Sequence, residues 1–201
     1  MKRALDVAGA LLGLLLSAPL LLAASVAIWL ADRRPILFSH EREGRGGQPV
    51  RLWKLRTMVR DGDGLLAEHL ERVPEARREW ERYFRLAGDP RVLGRLGRAL
   101  RRSSVDELPQ LWNVLRGDMS LVGPRPLPPF VIAALPETFL QLRRSVRPGL
   151  TGLWQVSGRS DGDVDELVRL DTEYVRTASL ALDLRILART PAAVLSGAGA
   201  Y

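Results

Sequence analysis

Two acidic residues stand side by side at Asp106-Glu107, with Arg101 and Arg102 just upstream and Pro109 just downstream. Proline is tolerated in the first turn of a helix, where the N–H it lacks has no intrahelical partner. A helix is therefore expected to start near Asp106 and to run through Trp112 to Leu115. Adjacent carboxylates at such a start have an ordinary explanation. They complement the positive end of the helix dipole, and Ser104 with Glu107 has the spacing of a capping box. The chemical alternative uses the same geometry, because free N–H groups at a helix start suit a phosphate. A carboxylate beside a phosphate is repelled unless cations screen both. Arg101 and Arg102 are placed to do so, and Mg²⁺ would do it better with one or two carboxylates and phosphate oxygens as ligands. Asp106 can then attack phosphorus and form an acyl phosphate, with Glu107 as a metal ligand beside it. Arg125, Arg147 and Arg159 lie in stiff Pro- or Gly-containing segments and offer further guanidinium forks for phosphate.

The composition narrows the remaining choices. The chain has 201 residues, enough for one domain with a real core. It has no cysteine, which removes a thiol nucleophile, disulfides and Cys-ligated zinc. His40 and His69 are the only histidines, so a His-rich metal site is excluded and carboxylates must do the acid, base and metal work. The net charge of +7, almost all from arginine, favours anionic partners such as phospholipid headgroups or nucleotides. No basic-aromatic block and no zinc finger points to nucleic acid.

Around these residues the pattern is α+β and mostly helical. Ile36 to Ser39 and Val50 to Met58 read as strands flanking a turn with Gly44, Gly46 and Gly47, a small β-hairpin. Its second strand carries Lys54 and Arg56. Leu65 to Leu86 reads as helix interrupted at Pro74, with an aromatic stripe at Trp80, Tyr83 and Phe84. Val92 to Arg102 is helical, with Arg91, Arg95, Arg98 and Arg102 on one face. Gly123-Pro124-Arg125-Pro126, followed by Pro128 and Pro129, must be an extended loop. Phe130 to Val146 reads as one amphipathic stretch and Asp165 to Arg189 as one helix, suited either to lie along a bilayer surface or to pack against the domain core.

From Val7 to Ala31 the chain runs 25 residues without a charge. A straight helix of that length measures about 37 Å and would span a bilayer. Pro19 lies near its midpoint, and Lys2, Arg3, Arg33 and Arg34 make both flanks basic. Proline removes a backbone donor, and two basic flanks favour the same cytoplasmic side. The reading is a re-entrant hairpin over residues 1–34 that breaks at Ser17 and Pro19, with a kinked single span as the alternative. Residues 35–201 then form a cytoplasmic domain continuous with it. Asp6 is expected to pair with Lys2 or Arg3 at the interface.

Three stretches also resemble a known family. Leu52-Trp53-Lys54-Leu55-Arg56-Thr57-Met58 is similar to its Lys-aromatic-Arg-[Thr/Ser]-Met element. The run from Asp106-Glu107-Leu108-Pro109 through Asp118-Met119-Ser120-Leu121-Val122-Gly123-Pro124-Arg125-Pro126 resembles the signature of the monotopic polyprenyl-phosphate phosphoglycosyl transferases, the bacterial sugar transferases. Arg147-Pro148-Gly149-Leu150-Thr151-Gly152-Leu153-Trp154-Gln155-Val156-Ser157-Gly158-Arg159 resembles its second long signature. The chain departs from the pattern at Ala18, where the family has Ser before the membrane proline, and at Leu55, where it has an aromatic. The resemblance implies a catalytic core at the bacterial inner membrane, active on its cytoplasmic face. It implies a UDP-sugar donor, a polyprenyl phosphate acceptor, Asp106 as nucleophile, Glu107 as Mg²⁺ ligand and the Pro124–Pro126 loop at the nucleotide. Lys54, Arg56, Arg101, Arg125, Arg147 and Arg159 are the implied phosphate or sugar contacts, and the oligomeric state is left open, a homodimer included. A membrane-anchored scaffold that binds anionic lipids is the rival reading.

Overall fold

The apolar N-terminal segment forms one helix, α1 (Lys2–Asp32), in the computed structural model, which describes residues 1–201 apart from 61, 84–85, 87, 158–163 and 197–201, with backbone alone at 82–83. The helix continues through Pro19, so the two separate helices of the expected hairpin are not seen. Proline costs a helix one hydrogen bond at the preceding turn, and the bonds on either side still form. The Ser17 hydroxyl is 3.5 Å from the Leu14 carbonyl, a marginal contact that does little to replace the lost bond.

One stripe of α1 is docked on the rest of the chain for most of its length. Asp6, Ala10, Ala24 and Ile28 are buried, while Leu11, Leu12, Leu15, Leu16, Leu22 and Leu30 on the other side are exposed. Spacings of four, fourteen and four residues place a single face inward. Gly9 permits the closest approach: a Cβ there would lie 2.6 Å from Leu121 Cδ1. Asp6 pairs with neither Lys2 nor Arg3. It accepts hydrogen bonds from the Ser120 hydroxyl and the Leu121 amide. Lys2 instead meets Asp183, and Arg3 donates to the Val114 and Leu115 carbonyls. Those carbonyls lie in the last turn of a helix, at the negative end of its dipole, so a guanidinium suits them.

The expected hairpin is present as β1 (Leu37–Glu43) and β2 (Pro49–Leu55), antiparallel, with Phe38 opposite Lys54 and His40 opposite Leu52. Pro74 divides the next helical region into α2 (Gly62–Arg72) and α3 (Pro74–Tyr83). Trp80 packs there near Leu66, Ala76 and Leu86, whereas the Tyr83 side chain and Phe84 lie outside the described residues. The basic stretch is α4 (Gly94–Arg102), with Arg95, Arg98 and Arg102 exposed on it. The helix expected from Asp106 begins later, as α5 (Gln110–Arg116), after a 3₁₀ turn at Val105–Glu107.

Two short strands, β3 (Ser120–Val122) and β4 (Gly149–Thr151), pair in parallel, a ladder too brief to show as alternation. It requires glycine at close quarters, since a Cβ at Gly149 would lie 2.1 Å from the Gly123 nitrogen. The Phe130–Val146 stretch is two helices, α6 (Pro129–Ile132) and α7 (Glu137–Arg144), with Pro136 between them as the cap of the second. After α8 (Leu153–Val156), the Asp165–Arg189 region is likewise two: α9 (Val164–Thr177) and α10 (Leu180–Leu195). Ser179 makes that break by accepting a hydrogen bond from the Leu182 amide as an N-cap. The main core gathers Leu52, Val114, Met119, Val122, Tyr174 and Ile186 beneath α1.

Candidate active site

Ser104 turns the chain toward the site. It adopts the left-handed conformation at φ 55°, and this redirects the backbone from α4 into the 3₁₀ turn that carries Asp106 and Glu107. A non-glycine residue in that region is uncommon and is found disproportionately at functional sites. Ser104 caps nothing with its side chain, so the capping-box explanation of Glu107 does not hold. The Glu107 carboxylate faces away from the helix and accepts from Lys54 Nζ at 2.7 Å and Arg125 Nη2 at 2.9 Å.

The two neighbouring carboxylates thus have opposite environments. Burial alone would raise Glu107, but Arg125 and Lys54 overcome it and hold the group far below the ordinary carboxylate range. Asp106 is 7% exposed, and among the described residues nothing hydrogen-bonds its carboxylate. Burial pushes its pKa up to about 6; Lys54, Arg101 and Arg125 pull against this while the Glu107 charge adds to it. At neutral pH it is mostly ionised, largely removed from solvent and without a hydrogen-bond partner among the described residues. A buried carboxylate in that condition is suited to attack on an electrophile or to a cation.

Both open into a cavity of about 680 Å³ whose lining also includes Lys54, Arg101, Ser104 and Arg125. That volume suits a nucleotide-sized ligand. A second wall comes from the hairpin, where Phe38, His40 and Arg42 alternate along β1 on the face that carries Lys54. Trp154 of α8 lines the cavity as well. Burial first, then the Arg42 and Lys54 charges, lower His40 to about 3, so its imidazole is neutral and can both donate and accept a hydrogen bond. The sequence signal for this wall is the period of two along β1, which places Phe38, His40 and Arg42 together once the hairpin register is known.

The remaining expected contacts divide. Arg101 and Arg125 line the cavity with Lys54. Pro124 and Pro126 stiffen the loop carrying Arg125, and the Pro124 carbonyl accepts from the Gly149 amide at 2.9 Å. Arg56, expected at the substrate, lines the cavity but commits its guanidinium to Asp32 and to the Arg33, Pro35 and Met58 carbonyls. It ties the end of α1 to β2, a demand set by residues more than twenty positions away in the chain. Arg147 is outside the cavity lining and donates to the Gly117 carbonyl at 2.8 Å. Arg159 lies outside the described residues.

Among the described residues no group of three acidic or histidine side chains forms a protein-only metal cage. Mg²⁺ keeps few protein ligands and takes the rest from phosphate and water. Asp106 fits that mode, because its carboxylate faces the cavity and accepts from no described residue, whereas Glu107 would have to share with a metal the oxygens that Lys54 and Arg125 now hold.

Adjacent carboxylates and several cations facing one cavity have the charge pattern that suits a phosphorylated ligand. The family model for bacterial sugar transferase matches residues 1–197, and the chain belongs to that family. It is 41% identical, over its whole length, to the undecaprenyl-phosphate galactose phosphotransferase of Salmonella typhimurium, and spans 42% of that protein. It is 42% identical to the exopolysaccharide production protein ExoY of Rhizobium meliloti, spanning 88% of it. With the UDP-glucose:undecaprenyl-phosphate glucose-1-phosphate transferase of Caulobacter vibrioides the identity is 46%, over 72% of the relative.

Proposed function

We propose that this chain transfers a sugar-1-phosphate from a UDP-sugar to a polyprenyl phosphate at the cytoplasmic face of the bacterial inner membrane. The observation that carries the proposal is Asp106: a buried carboxylate that accepts from no described residue, in a cavity lined by Lys54, Arg101 and Arg125. An Asp106 oxygen attacks the β-phosphorus of the donor, the bond from that phosphorus to the bridging oxygen breaks, and UMP leaves with the electron pair. The product is an acyl phosphate, the mixed anhydride of the Asp106 carboxyl with the sugar phosphate. An oxygen of the polyprenyl phosphate then attacks the same phosphorus and displaces the Asp106 carboxylate, giving the polyprenyl diphosphate sugar. One anhydride is exchanged for another, so no external energy source is required. Arg125, Lys54 and Arg101 bind the donor phosphates, and the neutral His40 offers hydrogen bonds to an uncharged part of the donor. Mg²⁺, held by Asp106 and Glu107 with donor phosphate oxygens, would neutralise charge on the transferred group.

The way α1 is docked supports a monotopic membrane position. Its inner stripe contacts the domain from Asp6 to Ile28, about 33 Å of helix. A helix packed against a polar domain over that distance cannot cross a bilayer while the domain remains in water. The exposed leucines instead favour burial of the continuous α1 in one leaflet, with the basic residues at the headgroups. The acceptor's phosphate then lies level with the cavity.

The test is UMP release by protein held in lipid nanodiscs with Mg²⁺, a panel of UDP-sugars and undecaprenyl phosphate. One or more donors should yield UMP and an acceptor-linked sugar. A lipid-binding scaffold would release none from any donor.

A further inference from the structure

Arg125 reaches Glu107 from a loop in which Pro124, Pro126 and Pro128 alternate with other residues. These prolines have no N–H, so the loop can do little to fix its own backbone. It is held from outside instead. The Gly149 amide donates to the Pro124 carbonyl, and the guanidinium of Arg143 donates to the Arg125 carbonyl at 2.5 Å. Arg143 belongs to α7, and its other terminal nitrogen is paired with Asp171 of α9. The Arg143 side chain is 8% exposed and that of Asp171 2%.

A fully buried ion pair is weak evidence for stability, since apolar residues of similar volume often do as well. What this pair does that apolar residues cannot is present a second, oriented N–H to a neighbouring carbonyl. Asp171 fixes one side of the planar guanidinium, and the other side meets the loop. Arg125 is thereby gripped at both ends, with its backbone on Arg143 and its tip on Glu107 at 2.9 Å. A lysine at 143 has a single nitrogen on a flexible stem and lacks that rigid fork. Neither Arg143 nor Asp171 lines the cavity, so any influence they have on transfer is indirect.

We propose that Arg143, oriented by Asp171, is a positioning residue for the transfer reaction: it fixes the Arg125 backbone and thereby the contact of Arg125 with Glu107. The inference rests on the proposed function above, in which Arg125 and Glu107 serve the reaction. The competing account is a brace that joins α7 to α9 and has no bearing on the cavity.

A double-mutant cycle separates the two. Arg143→Lys and Asp171→Asn are each made in the wild type and in an Arg125→Ala background, and kcat/KM for UMP release is measured in nanodiscs beside the melting temperature. In the wild-type background each should lower kcat/KM about tenfold, the scale of coupling between contacting residues. In the Arg125→Ala background the same substitutions should change it less than about twofold, because the residue they act through is gone. Equal losses in both backgrounds, or a lower melting temperature with kcat/KM intact, would overturn the proposal. Asp171→Asn keeps the comparison available if Arg143→Lys does not fold. A wild-type protein that releases no UMP from any donor removes the reading on which this rests and the inference with it, and that failure is visible before any substitution is compared.

Discussion

Two of the places where the chain buries acidic side chains treat them differently. Beneath the start of α1, Asp6 accepts from the Ser120 hydroxyl and the Leu121 amide, while Asp183 accepts from Lys2 at 2.6 Å and from the Tyr174 hydroxyl at 2.9 Å. In the cavity, Asp106 is about as well buried as these but accepts no hydrogen bond from any described residue. A fold stabilises a buried charge by satisfying it, and the first cluster joins the N-terminus, β3 and α10 by that means. A buried charge without such partners costs stability, and in a cavity that makes it a candidate for contact with a ligand. The contrast separates the anchoring carboxylates from the candidate nucleophile without reference to their order in the chain.

The comparison can be broken most decisively at Asp106. Asp106→Asn should lower sugar-phosphate transfer by roughly four orders of magnitude or more, as loss of a nucleophile does. It should also raise the melting temperature. The folded pKa of about 6 lies above the ordinary 3.8, so protonation stabilises the fold. That effect is complete below pH 3.8 and lost as pH rises through about 6. A neutral isostere regains it at pH 7, by about 1–3 kcal/mol. Activity lost together with stability would mean that Asp106 is an anchor after all.

Glu107→Gln should come next, with kcat down about 10²–10³-fold, since it frees Lys54 and Arg125 from the positions in which they meet the donor. Asp6→Ala should show the reverse signature. It leaves the Ser120 hydroxyl and the Leu121 amide unpaired and should cost about 2–4 kcal/mol in chemical denaturation. Its kcat/KM, corrected for folded protein, should stay within about twofold of wild type. The smallest effect is on pH dependence. The acid limb of kcat/KM should fall near pH 6 as Asp106 takes up a proton, and Lys54→Met should move that limb to higher pH by removing a charge that favours the carboxylate. A limb that moves to lower pH instead would detach it from Asp106.

Much of the site was legible in the chain because it is local. Asp106, Glu107 and Pro109 lie within one turn, the hairpin glycines are adjacent, and the apolar run at residues 7–31 needs only counting. Some of the missing parts depend on pairings across a hundred residues or more. Asp6 meets Ser120 and Lys2 meets Asp183, which no local pattern can indicate. Arg56 has the look of a phosphate ligand from its strand, but the α1 terminus takes up its donors. The Phe38–His40–Arg42 wall depends on which face of a two-stranded ribbon turns inward, and both faces of β2 carry partly buried residues. Boundaries failed where single residues intervened, at Pro136 and Ser179, inside otherwise continuous amphipathic patterns.

The most direct measurement is intact-mass spectrometry of the lipid-embedded protein after incubation with Mg²⁺ and each UDP-sugar in the absence of acceptor. The account predicts a mass increase of one sugar-phosphate with the accepted donor, localised to Asp106, absent in Asp106→Asn and discharged when undecaprenyl phosphate is added. A protein that makes the lipid-linked sugar at full rate while never carrying that adduct, or that keeps its turnover in Asp106→Asn, would contradict it.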